Sequence, residues 1–311
     1  MISVEGKTIS DTHLTFLRNP FLLLTITTLV WGGNAVAGKF AVGHISPMIL
    51  TASRWTVALS VILLIAHKNI KKDWPIIRKN WLYLLLMGGF GFTAFNFCLY
   101  SAVHYISAIN VALEQSAMPL VIFVLNFTFY KTGIKWVQII GFSITLIGVL
   151  VTISMGDPLG FIQAKGEGIN RGDLFMLIGA LFYGGYTVAL RSKPEMHWQS
   201  FLASLAFAAL LFSIVGAAFE TAQGNAIYPT SIQGFMVVIY TGVFPSLVSQ
   251  AFYIKGNEAL GANVAGLFIN LVPVFAALLA VLLLGEQLHW YHVISFGLVM
   301  GGILLAQRKP A

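Results

Sequence analysis

Trp31-Gly32-Gly33-Asn34-Ala35-Val36-Ala37 and Tyr183-Gly184-Gly185-Tyr186-Thr187-Val188-Ala189 are one apolar, glycine-split phrase written twice, 152 residues apart. Each is followed two residues later by a base, Lys39 in one case and Arg191 in the other. Further along, an offset of 154 superimposes Gly88 on Gly242, Phe90 on Phe244, Ala108 on Ala262 and Pro119 on Pro273. The same offset superimposes Trp136 on Trp290, Phe142 on Phe296 and Gly148 on Gly302. Single identities between apolar helices arise easily. A nearly constant offset along the whole chain marks an internal repeat.

The phrase at 31–37 lies in an apolar run, 20–42, long enough to cross a membrane as a helix. Nine more runs follow, at 46–66, 81–101, 106–129, 135–155, 173–190, 198–219, 232–254, 262–284 and 290–306. None alternates with period two, which argues against a β-barrel. The expectation is an all-α polytopic membrane protein of ten transmembrane helices. The first repeat takes residues 20–155 and the second 173–306, joined by a glycine-rich linker loop at 156–172. Residues 1–19 and 307–311 read as polar tails. Five spans per repeat is an odd number, so the second repeat must enter the membrane from the opposite side. That makes the repeats inverted in topology, the arrangement of secondary transporters working by alternating access.

Composition agrees. Of 311 residues, 58% are hydrophobic and only 9% charged, too few to coat a soluble domain. This excludes an ordinary cytosolic enzyme, a disordered chain and a nucleic-acid-binding domain, despite a net charge of +7. The single cysteine, Cys98, allows no intrachain disulfide and no cysteine metal site. Of 18 Lys and Arg residues, 14 fall in the tails and in loops on the side of the N-terminus. Only Lys165 and Arg171 fall in the opposite loops. The positive-inside rule then puts both termini in the cytoplasm (N-in/C-in).

Ionisable groups inside a span are costly and call for a role. Three qualify: Lys39, Arg54 and Glu114. Their similar depths suggest one charged layer. Lys39 and Glu114 are expected to pair across spans one and four, where a zwitterion could insert between them. Arg54 reads as a structural pin between helices. Gln115, Asn34, Asn96, Gln250, Tyr100, Tyr186 and Tyr253 complete the expected substrate-binding set, Asn96 and Gln250 being repeat equivalents. Pro119, Pro245 and Pro273 free backbone carbonyls and can bend spans for gating. Paired glycines, including Gly297-x-x-x-Gly301, suit close helix contact. All four aspartates fall in loops or at span ends. No metalloprotease or phosphate-loop motif is present, so no enzyme, cofactor or metal is implied.

Several motifs together resemble the drug/metabolite transporter superfamily of EamA type. They are Trp31-Gly32 with Gly38-Lys39, Pro47 with Arg54-Trp55, Pro273 running to Leu284-Gly285-Glu286, and a tenth span rich in glycine. Lys131-Thr132-Gly133 stands where a second Gly-Glu would fall. Within the superfamily the chain looks most like bacterial aromatic amino-acid exporters of the YddG type. The resemblance implies an exporter of amino acids or related small metabolites, expected in a bacterial inner membrane. With no ATP-binding motif, transport is expected to run downhill or on an ion gradient, protons being a candidate coupling ion. The 41 aromatic residues suit aromatic and other hydrophobic neutral substrates rather than dicarboxylates or sugar phosphates. Export of other hydrophobic metabolites or drugs, a membrane-embedded enzyme and a channel are the alternatives.

Overall fold

The computed structural model describes residues 19–131, 136–157, 169–260 and 268–306. The tails 1–18 and 307–311 lie outside them, as does 158–168, most of the expected linker loop. The described residues contain helices and turns and no strand. Ten helices follow in order. They are α1 (Pro20–Ala41), α2 (Pro47–Lys79), α3 (Trp81–Ala102), α4 (Ala108–Tyr130) and α5 (Trp136–Ile153). Then come α6 (Arg171–Ala189), α7 (Trp198–Ala222), α8 (Ile232–Leu260), α9 (Val272–Leu284) and α10 (Trp290–Ala306). Eight are long and apolar enough to span a membrane, and α9 and α10 are shorter apolar helices. Below, the near face is the side on which α1 begins, and the far face is the other.

Local signals set the helix starts. Asn19 accepts the Phe21 amide at 3.0 Å ahead of Pro20. Ser107 accepts the Asn110 amide at 3.0 Å, and Ser231 the Gly234 amide at 3.2 Å. Asn170 and Asp173 form a reciprocal capping box on α6. Helix α2 outlasts the apolar run 46–66 and continues through a charged stretch to Lys79, with Pro75 inside it. Its extension is held from outside: Asn69 donates to Gln199 at 2.6 Å, and Asp73 accepts the His197 amide at 2.9 Å, both at the start of α7.

Packing follows a pseudo-two-fold axis. Helix α2 packs on α7 and α5 on α10, each against its own repeat equivalent. Helix α1 packs on α8 and α9, as α6 packs on α3 and α4. Small residues set the close crossings. A Cβ on Gly141 would press on the Gly302 carbonyl oxygen and lie 2.6 Å from the Ala306 nitrogen. One on Gly32 would lie 2.8 Å from the Ala276 nitrogen of α9. The expected contact at Gly297-x-x-x-Gly301 is not made, for both glycines face open space and Gly302 faces α5 instead. A glycine pair in an all-apolar helix does not reveal which way it points.

Both repeats are irregular at matched places. Helix α3 opens into a π-helical stretch at Met87–Ala94, and α8 does so at Phe244–Val248. Helix α4 breaks at Ser116–Ala117, just before Pro119. A turn at Asn270–Leu271 stands likewise before Pro273 of α9. Proline cannot donate to the carbonyl four residues back, so the ladder is open at each site. Pro119 and Pro273 therefore mark real interruptions.

Candidate functional site

The centre of the molecule is built around Arg54, on α2 about two turns from its far end. Its side chain is 3% exposed. Its Nε donates to Ser246 Oγ at 3.1 Å and its Nη2 to the same atom at 2.7 Å. Its Nη1 donates to Asn96 Oδ1 at 2.6 Å, to Asn34 Oδ1 at 3.4 Å and to the Tyr100 hydroxyl. Tyr100 donates on to Asn34 at 3.0 Å. Five residues from α1, α2, α3 and α8 thus meet in one buried network, and none of Arg54's partners is a carboxylate.

The irregular backbone aims two of these groups. Pro245 has no amide proton for the Thr241 carbonyl, and Ser246 Oγ donates to that carbonyl at 2.8 Å. Its lone pairs are left facing Arg54. Asn96 stands just past the π-helical stretch of α3 and donates from Nδ2 to Phe92 O at 2.5 Å. π-helical turns often sit at functional sites because they re-aim side chains this way.

Aromatic rings extend from this centre. Trp55 stacks on Phe92 with planes 1° apart and centroids 4.7 Å apart. Phe92 packs on Tyr186 at 5.3 Å, Tyr186 on Tyr183 at 5.4 Å and Tyr183 on Phe95 at 4.9 Å. Gln250 lies at the Tyr183 hydroxyl. Trp31 packs on Tyr253 at 5.2 Å. Among the described residues, the buried Trp55 Nε1 and Asn270 Nδ2 donors find no hydrogen-bond partner. The structure thus brings Asn34, Asn96, Tyr100 and Arg54 together, with Tyr186 reached through the Trp55 and Phe92 rings. Ser246 had escaped notice because serine in a helix signals little. Tyr183 stood out only as part of the repeated phrase at 183–189, which gives it no role of its own.

The expected charged layer does not form. Lys39 donates to the backbone carbonyls of Val103 at 2.7 Å and Ile106 at 3.0 Å, closing the far end of α3. Glu114 faces the Asp173 carboxyl instead. The expected Lys39–Glu114 pair is replaced because the lysine satisfies carbonyls left without intrahelical partners at a helix end. Gln115 is half-buried at the last position before the break in α4.

The far ends of the helices are tied by other groups. Glu286 accepts the Ala108 and Ile109 amides at 2.8 and 3.1 Å, on the first turn of α4. Glu220 accepts Ser46 Oγ at 2.6 Å and the Ile49 amide at 3.2 Å, on the first turn of α2. His292 bonds Asn110 at 2.9 Å. A far-face cavity of about 250 Å³ lies among Glu286, His289, His292, Asn110 and Tyr105.

Two inverted five-helix repeats around a buried polar centre define a membrane transporter. The chain belongs to the EamA-like transporter family, whose sequence profile matches residues 19–154 and 170–307. It is 28% identical over 298 residues to the uncharacterized transporter YetK of Bacillus subtilis, across 93% of this chain and 87% of that protein. It is 26% identical over 292 residues to the uncharacterized transporter YyaM of the same organism, across 93% of each. It is 23% identical over 286 residues to Protein PagO of Salmonella typhimurium, across 91% of each. Among the solved structures that match is a protein crystal structure with a TM-score of 0.61 at 19% identity, over 92% of this chain and 97% of that one. At that identity the likeness speaks for the fold alone.

Proposed function

We propose that the protein is a secondary exporter of neutral amino acids, foremost aromatic and hydrophobic ones, working by alternating access. In this reading it sits in a bacterial inner membrane with the near face, and both termini, in the cytoplasm. The observation that carries the reading is Arg54: a buried guanidinium on neutral hydrogen-bond partners, with no carboxylate among them. A buried cation without a counter-ion is costly, and a substrate carboxylate would supply one. The unspent Trp55 Nε1 donor supports the same role. The Trp55, Phe92, Tyr186 and Tyr183 rings would take the substrate's apolar side chain. Gln250 and Tyr253 would line the route toward the near face. The ties at Lys39, Glu220 and Glu286 would break when the far face opens, with α4 and α9 bending ahead of Pro119 and Pro273. Pro245 serves by orienting Ser246. Transport of this kind involves no covalent change in the substrate.

Overexpression in a host sensitive to p-fluorophenylalanine tests the reading. Resistance that disappears in Arg54→Met is expected. Unchanged sensitivity, with the protein present in the membrane, would overturn it.

A further inference from the structure

Glu114 is 1% exposed, and both carboxyl oxygens are buried with no N–H or O–H donor among the described residues reaching them, the Asp173 carboxyl aside. What faces it is the carboxyl of Asp173, itself 3% exposed and within hydrogen-bond reach. No other charge offsets the pair among the described residues. Of the elements packed on this segment of α4, α5 and α9 carry no ionisable side chain. Glu286, just past α9, is engaged with the Ala108 and Ile109 amides. Lys39 of α1 is held on the Val103 and Ile106 carbonyls. On α10, His292 bonds Asn110, and Tyr291 packs against His292. On α6, Arg171 is exposed.

Two ionised carboxylates side by side in such a place repel each other and lose their hydration. Two carboxyl oxygens can bond only through a proton. Asp173 Oδ2 already accepts the Asn170 amide at 2.8 Å, which suits Asp173 to hold the negative charge. Glu114, with no donor on either oxygen, suits the protonated role.

We propose that Glu114 and Asp173 form a proton-binding site that holds one shared proton while the far ends of α4 and α6 are packed together, and releases it when they part. The break at Ser116–Ala117 lets the first segment of α4 move apart from the second. Once water reaches the carboxyls, both ionise. The closed far face therefore binds one proton more than the open one, and raising the pH favours opening. The site acts whatever solute the carrier moves.

Two measurements on the purified full chain decide this. Infrared spectra at neutral pH should show the C=O band of a protonated carboxylic acid, and Glu114→Gln should remove it. A wild-type spectrum without that band, or a band that persists unchanged in Glu114→Gln, would overturn the proposal. The second uses a thiol at Ala112, which is 1% exposed on the same segment, with Cys98 replaced by alanine. Its labelling in Glu114→Gln at each pH corrects for the reagent's own pH dependence. The corrected rate should rise with pH, by at most about tenfold per unit, the limit for one proton. Identical pH profiles with and without Glu114 would equally overturn it.

Discussion

Removing Arg54 takes the donor from Asn96 Oδ1, but each residue it holds keeps another hydrogen bond. Tyr100 still bonds Asn34, Asn96 still bonds the Phe92 carbonyl and Ser246 still bonds the Thr241 carbonyl. Arg54→Met should therefore leave a folded protein whose melting temperature is not lowered, since an uncompensated buried charge is gone. Phenylalanine transport should fall at least about tenfold, because a hydrogen bond to a charged group is worth about 1.5–3 kcal/mol. Thermal melts and uptake assays on the same preparation check both halves. Loss of folding would return Arg54 to the purely structural role that sequence reading gave it. That reading saw Asn34, Asn96 and Tyr100 as polar groups inside spans, but it could not see that one arginine gathers them. The spans are apolar on all sides, so no amphipathic stripe reveals which face turns inward. For the same reason it placed Lys39 opposite Glu114 on depth alone, and left Asp173 aside as a residue at a span end.

At the scale of helices, carboxylates near the ends of one repeat settle on helix starts of the other. Glu220 of α7 caps α2, Asp73 of α2 caps α7 and Glu286 beyond α9 caps α4. Each meets the positive end of a helix dipole, where a carboxylate is stabilising. Glu286→Ala should cost the far-face closure about 1 kcal/mol, the worth of a cap. That predicts roughly fivefold faster labelling of a thiol at Ala112. An unchanged rate would mean that α4 is held by packing alone. The helix crossings give a sharper contrast. Gly141→Ala drives a methyl into the α10 backbone and should cost about 1–3 kcal/mol. Gly297→Ala and Gly301→Ala meet nothing and should leave the melting temperature unchanged or raised. Equal effects at the three glycines would contradict the α5–α10 crossing. The repeat offset had located the matched prolines and Phe90 with Phe244. The π-helical stretches around those phenylalanines left no mark of their own, because a single extra residue per turn is invisible in an apolar run.

For the molecule as a whole, ten spans, an inverted repeat and a basic side were all legible, because hydropathy, offset and loop charge are properties of long segments and survive local error. Orientation is tested by thiols at Lys72 and Lys193 on the near face and at Asn225 on the far face, all three exposed. In intact cells an impermeant reagent should modify only the thiol at position 225. Modification at position 72 would reverse the assignment of the faces. What segments cannot convey is chemistry, which is why the proposed substrate class rests on a buried guanidinium and a set of rings. Counterflow in liposomes holding the purified protein tests that claim most directly. Labelled phenylalanine should enter saturably, faster when unlabelled phenylalanine is trapped inside, and hardly at all with Arg54→Met. Uptake that does not saturate, shows no stimulation by trapped substrate and is indifferent to Arg54→Met would contradict a carrier centred on that residue.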